Sequence, residues 1–229
     1  MSFVFAISGA TGLLGSNLAN NLIHQGNTVF ALVKNNQSRS ILSDKANRVF
    51  GDINSKSDIE YFIQKSRPDF FIHLAAQTQA YDSLKYPYQT FLSNFVGTLN
   101  VLECLREYGN SQSIIIASSN KAYGDLVNDE YTENHPLKGI YPYDASKSAS
   151  DLLAYSYRQT YKMPIIVTRT CNIYGIGDFN RQRLLPAIVN CFITKRPFTI
   201  RNGGRDIREY INVADVVQAY LSIIQYSIR

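Results

Sequence analysis

Short runs of β-branched and aromatic residues alternate along this chain with stretches whose apolar residues recur at helical spacing. The runs predict strands at Phe3–Ile7, Thr28–Val33, Arg48–Phe50, Phe70–Leu74, Ser113–Ala117 and Ile165–Thr170. Between the first two, Leu14, Leu18 and Leu22 recur every four residues and line one helical face, and Gly26 supplies a stop. Strand–helix alternation of this kind predicts an α/β fold, a doubly wound parallel sheet with helices on both faces. Such sheets bind ligands at the carboxyl ends of their strands, which locates the site before any motif is read. After about Asn172 the pattern loosens, with shorter elements and more glycine and proline.

Bulk properties narrow the function. A chain of 229 residues has room for one ample core with a small appendage. The net charge of +5 is mild, and no basic stripe is interleaved with aromatics. Nucleic acid is therefore not expected, while an anionic small substrate is compatible. The N-terminus is apolar only from Phe3 to Ile7 and lacks the basic start of a signal peptide; no later run is long enough to span a membrane. Cys104, Cys171 and Cys191 have no paired spacing and sit in apolar runs, the pattern of buried thiols in a reducing compartment, so a cytoplasmic protein is expected. His24, His73 and His135 are too scattered to suggest a metal site.

The segment Ser8-Gly9-Ala10-Thr11-Gly12-Leu13-Leu14-Gly15 follows the first strand and opens the first helix. Gly9 permits a tight turn, Gly12 lets backbone amides approach a pyrophosphate, and Gly15 lets helix pack closely on strand. The helix N-terminus adds donors and a positive dipole end. A Rossmann-type domain over 1–171 that holds one NAD+ or NADP+ is the expectation, with 172–229 a smaller substrate-binding region interleaved with its end. The second strand runs into Lys34, Asn35 and Asn36, with no carboxylate for the adenosine ribose; Lys34 or Arg39 could instead neutralise a 2′-phosphate. Asp52 and Ile53 follow the third strand, where an aspartate could accept from the adenine amino group. Leu74, Ala75 and Ala76 follow the fourth, where small residues let a cofactor pass.

Tyr143 and Lys147 stand four apart, on one helical face. A phenol titrates near ~10 in isolation, and an adjacent ammonium together with a positive nicotinamide favours its phenolate. Tyr143 could then take a proton from a sugar hydroxyl. Ser119, just beyond the fifth strand, can share a hydrogen bond with the same hydroxyl.

With these segments together, the chain resembles the extended short-chain dehydrogenase/reductases that act on nucleoside-diphosphate sugars, the NAD-dependent epimerase/dehydratase family. Further matching segments are His73-Leu74-Ala75-Ala76-Gln77, Asn94-Phe95-Val96-Gly97-Thr98-Leu99-Asn100, Asn172-Ile173-Tyr174-Gly175 and Arg208-Glu209-Tyr210-Ile211-Asn212-Val213-Ala214-Asp215. Among branches it looks most like the CDP-glucose 4,6-dehydratase group. The resemblance adds Gln77 and Asn94 to the cofactor residues and assigns the substrate to Gln77, Ser119, Asn172, Arg183 and Arg208. It implies oxidation at C4 of the sugar with Tyr143 as base, loss of water across C5 and C6, and return of the hydride. Lys121 matches the lysine of the branch's catalytic pair. Asn120 stands where that pair has an aspartate, and an amide has no proton to hand to a leaving hydroxyl. The same Ser-Asn-Lys stretch looks like that of 2-epimerases acting on CDP-linked deoxysugars, so epimerisation is the alternative, and a non-catalytic dinucleotide-binding protein the second. Family members continue beyond the Arg-Glu-Tyr segment, which implies an incomplete substrate lobe in this chain. They also pair through two long helices, which would place a homodimer contact around 88–108 and 146–161.

Overall fold

The structure is a computed structural model that describes residues 2–34, 39–125, 130–205 and 207–228; Asn35 and Asn36 lie outside the described residues. The chain begins β1 (Val4–Ser8), α1 (Leu13–His24), β2 (Thr28–Val33), β3 (Asn47–Phe50), α2 (Lys56–Ser66) and β4 (Phe70–His73). Two short helices follow, α3 (Ala80–Lys85) and α4 (Pro87–Phe91). A π-helical turn at Leu92–Val96 then leads into α5 (Gly97–Tyr108). Next come β5 (Ser113–Ala117), a 3₁₀ turn at Asn120–Tyr123, α6 (Pro142–Tyr161) and β6 (Ile165–Thr168). The remainder holds β7 (Asn172–Tyr174), α7 (Leu184–Thr194), β8 (Tyr210–Asn212) and α8 (Val213–Ser227).

Six strands form one parallel sheet in the order β3-β2-β1-β4-β5-β6. The order reverses between β1 and β4, so the doubly wound reading holds and a crevice opens at the strand ends there. Each face of the sheet carries its own core. Phe5 and Ile7 of β1 and Phe70 and Ile72 of β4 pack with Leu18 and Leu22 of α1 and with Val216, Val217 and Tyr220 of α8. Their neighbours Ala6 and Phe71 point the other way, among Ile59, Phe62, Val101, Leu102 and Ala154. A two-residue period in strands buried on both faces explains why β1 and β4 read as continuous apolar runs.

All six predicted strands are present: β2 and β5 have the expected ends, and the other four differ by one or two residues at an end. β7 and β8 were not predicted; they form a separate parallel pair of three residues each, too short to leave a periodic signal. Cys104 is buried as expected, but Cys171, in the connection between β6 and β7, and Cys191, on α7, lie outside the two cores and are only half-buried. Among the described residues, no helix is long and apolar enough to cross a membrane.

Candidate active site

The carboxyl ends of β1, β4 and β5 open onto one cavity of about 780 Å³. Its floor is the turn from β1 into α1. Gly9 sits at φ +76°, and a Cβ there would lie 2.6 Å from the main-chain nitrogen of Ala75. A Cβ on Gly15 would strike the Gly9 carbonyl oxygen, so α1 could not lie this close to the strand. The helix starts at Gly12 with no side-chain cap and no acidic residue in its first turn. Its first amides and the positive end of its dipole are thus left for an anion.

The chemical end is built from β5 and α6. Ser119 is buried, accepts the Lys121 amide at 3.2 Å and donates to Asn120 Oδ1 at 3.4 Å, which starts the 3₁₀ turn. That turn is braced from below by Arg169, which donates to both oxygens of the buried Asp151 and to the Tyr123 hydroxyl. Lys121 is ion-paired with Asp125 at 2.8 Å. Lys147 is 7% exposed and donates to the Ala117 carbonyl, 2.8 Å away. Burial of this ammonium pulls it down to about 8, partly offset by Asp151.

The protein's own groups act on Tyr143 in opposite directions. Its phenol is held above the ordinary value, because burial outweighs the Ser119 hydrogen bond and the Arg183 charge that pull it down; Asp144 adds to the rise. Lys147 donates to the Ala117 carbonyl at the end of β5, and burial is the largest influence on Tyr143, so the protein's own groups do not favour the phenolate.

The cavity gathers Gly9, Thr11, Gly12, Leu13, Leu14, Gly15, Lys34, Asp52, Ile53, Leu74, Ala75, Ala76 and Gln77 with Ser119, Asn120, Lys121, Tyr143 and Lys147. Asn172, Arg183 and Arg208 line its far end. Asn172 donates to the Glu209 carbonyl at 3.0 Å, and Arg183 reaches Asp178 and Thr78, each at 3.3 Å.

Asn94 is the exception among the expected site residues. It lies behind the wall, 2% exposed, accepting the Gln77 amide and donating to the Gln77 carbonyl and Ser146 Oγ. Its polar atoms are spent on the protein, which makes it a brace for the segment after β4. A buried chain runs on from it. Thr98 donates its proton to the Asn94 carbonyl at 2.6 Å and therefore accepts from His73 Nε2, leaving Nδ1 to accept from Ser8 at 2.6 Å. Burial, with the nearby Lys147 charge, drives His73 down to about 3, so it stays neutral.

Sequence reading missed Thr78, Gln79 and Asp144, which also line the cavity. The signal for Asp144 lay inside the Tyr-Asp-Ala-Ser-Lys segment; the others follow β4 with no motif of their own. Three buried polar atoms on the cavity wall, Gln77 Oε1, Gln79 Nε2 and Ser118 Oγ, have no protein partner. Orphaned buried groups are costly unless a ligand or water serves them. Together with the glycine cradle they fit a dinucleotide lying from α1 to β5. No cluster of metal-ligating residues occurs among the described residues.

The model of the NAD dependent epimerase/dehydratase family matches residues 5–228. The chain is 31% identical over 252 residues to a CDP-paratose 2-epimerase of Salmonella typhi, covering 95% of this chain and 73% of that protein. A solved UDP-glucose 4-epimerase of Thermotoga maritima superposes with a TM-score of 0.89 at 25% identity, covering 95% of this chain and 72% of that one. A dTDP-glucose 4,6-dehydratase of Streptomyces venezuelae, solved with NAD bound, gives 0.86 at 25% identity, covering 93% and 69%. Across curated relatives the chain spans from 34% to 73% of their length.

Proposed function

The chain belongs to the NAD dependent epimerase/dehydratase family, and from that premise we propose that it transiently oxidises one ring hydroxyl of a nucleoside-diphosphate sugar. The convergence of Ser119, Tyr143 and Lys147 with the Gly9 and Gly15 turn on a single cavity carries this reading. NAD+, when bound, supplies the hydride acceptor and its positive charge, and is regenerated when the hydride returns. Gly9, Gly12, Gly15 and the first turn of α1 hold its pyrophosphate. Tyr143 takes the hydroxyl proton and later gives it back, Ser119 orients that hydroxyl, and Lys147 steadies the phenolate once the cofactor's charge has helped to form it. Arg183 and Arg208 suit the diphosphate, since planar guanidinium groups pair with phosphate oxygens two at a time.

We read the net change as epimerisation, in preference to the 4,6-dehydration that the motif pattern suggests. Dehydration needs an acid for the departing hydroxyl, and Asn120 carries no transferable proton. Lys121, the other half of that pair, is occupied by Asp125. One observation keeps dehydration as the second reading. Asp144 lines the cavity at 4% exposure with its carboxyl raised by burial, a rise that Lys121 opposes, and a protonated carboxyl there could serve as the acid.

The purified chain, with NAD+, should be incubated with CDP-, dTDP- and UDP-linked sugars and the products read by mass spectrometry and sugar NMR. Unchanged mass with inverted stereochemistry supports epimerisation, and loss of one water moves the assignment to dehydration. Dinucleotide binding without turnover of any sugar would favour a non-catalytic binding protein. A homodimer belongs to the same proposal: α4 and α6 carry the exposed apolar residues Tyr88, Phe91, Leu152 and Tyr155, and light scattering after gel filtration would measure it.

A further inference from the structure

NAD-binding sheets of this kind end β2 in a carboxylate that bonds the adenosine ribose. Here that place is held by Lys34, and the next four residues, Asn-Asn-Gln-Ser, carry no charge. Taken alone, the lysine points to the 2′-phosphate of NADP+. The structure alters that picture. The Lys34 ammonium lies 2.8 Å from Asp52 Oδ2, across the gap between the ends of β2 and β3. Asp52 is firmly placed: its Oδ1 accepts the Asn54 amide at 3.0 Å, and its own amide donates to Asp58 Oδ2 at 2.9 Å. Gly51 makes room for this, since a Cβ there would sit 3.0 Å from Asp58 Cβ and 3.1 Å from Leu32 Cδ1. Burial acts to raise the Asp52 carboxyl, but the hydrogen bonds from Lys34 and from the Asn54 amide overcome it and hold it below its ordinary value. Of the residues that line this end of the cavity (Leu32, Lys34, Gly51, Asp52 and Ile53), Lys34 and Asp52 are the charged ones.

We propose that the Lys34–Asp52 pair is the cofactor-specificity determinant of this chain, Asp52 compensating Lys34 so that NAD+ is selected over NADP+. The inference rests on the dinucleotide reading of the cavity. A 2′-phosphate needs a cation with charge to spare; here it would meet a lysine already neutralised and the carboxylate that neutralises it. Discrimination then comes from the repulsive partner as much as from the attractive one. The pair is partly exposed, so its own strength matters little, and the cancellation of charge is what counts.

The test is dinucleotide affinity by isothermal titration calorimetry at low salt, which requires no sugar substrate. Wild type should bind NAD+ about tenfold more tightly than NADP+, or better, the scale of one charge-assisted hydrogen bond. Asp52→Asn should shift the ratio of the two affinities towards NADP+ by about tenfold on the same grounds; the ratio is read because Asp52 also stands where the adenine amino group, common to both dinucleotides, would be held. The gain should fall away as salt is added, and adding Lys34→Ala to that variant should abolish it. Equal or tighter NADP+ binding by wild type would overturn the proposal, as would an unchanged ratio in Asp52→Asn or a gain that survives loss of Lys34. If neither dinucleotide bound to wild type, the cofactor reading would fall first and this inference with it. Thermal melts of each variant separate lost folding from altered specificity.

Discussion

The sheet that carries the glycine turn and the lobe that carries Arg183 are built to different standards. In the sheet, Leu18, Phe70 and Phe71 are wholly enclosed, and every strand from β1 to β6 buries residues against helices. In the lobe, α7 has no buried residue at all, although it is the most apolar helix of the chain; Phe192 is 85% exposed and Ile193 72%. Most helical stability comes from packing an apolar face, so α7 draws little from the rest of this structure. Dinucleotide binding and fold stability therefore belong to the first region. Arg183, proposed to meet the diphosphate, stands at the start of α7 and is tied to the first region through Thr78 at 3.3 Å.

The sharpest separation should come from Tyr143→Phe, which removes the hydroxyl that the proposed reaction uses as proton acceptor and keeps the ring. Turnover should drop by about 10²–10⁴-fold while dinucleotide affinity stays near wild type. Loss of both together would mean that the chemistry and the cofactor cradle are not separable. Next in size, Leu18→Ala should lower stability by ~2–5 kcal/mol in urea unfolding, the usual cost of a cavity in a closed core.

A smaller effect comes from acid. His73 titrates at about 3 in the fold against 6.5 ordinarily. Between those values the unfolded chain binds a proton that the folded one refuses, so stability is full above pH 6.5 and falls as pH drops towards 3. Urea midpoints measured from pH 7 to 4 should show this slope, and His73→Gln should flatten it. Smallest of all, Phe192→Ser on α7 should change stability by no more than ~0.5 kcal/mol. A cost as large as that of Leu18→Ala would show that α7 is covered in solution and would erase the contrast.

Legibility followed the same divide. The six strands of the sheet could be read because short β-branched and aromatic runs alternate there with helical stretches, and the α1 face because its leucines recur at helical spacing. The members of the glycine turn and of the Tyr-Lys pair are close in sequence, so their spacing alone announces a turn or a helical face. β7 and β8 escaped because three residues carry no period, and their pairing joins Asn172 to Tyr210 across the whole of α7. Asn94 was assigned to the cofactor from its segment, but where its amide points depends on Gln77 and Ser146, which are distant in the chain. Lys34 read as a free cation for the same reason: Asp52 sits on another strand, and a sequence does not say which charges meet.

The amino-acid sequence by itself determined the parallel sheet, the glycine turn between β1 and α1 and the shared face of Tyr143 and Lys147, because apolar runs, glycine stereochemistry and helical spacing are local properties. Only the tertiary structure decided the electrostatics. Burial sets Tyr143 above and Lys147 below their ordinary values, Asp52 cancels Lys34, and α7 is left without a core. Solvent exclusion and charge pairing arise from neighbours that the fold brings together from far along the chain.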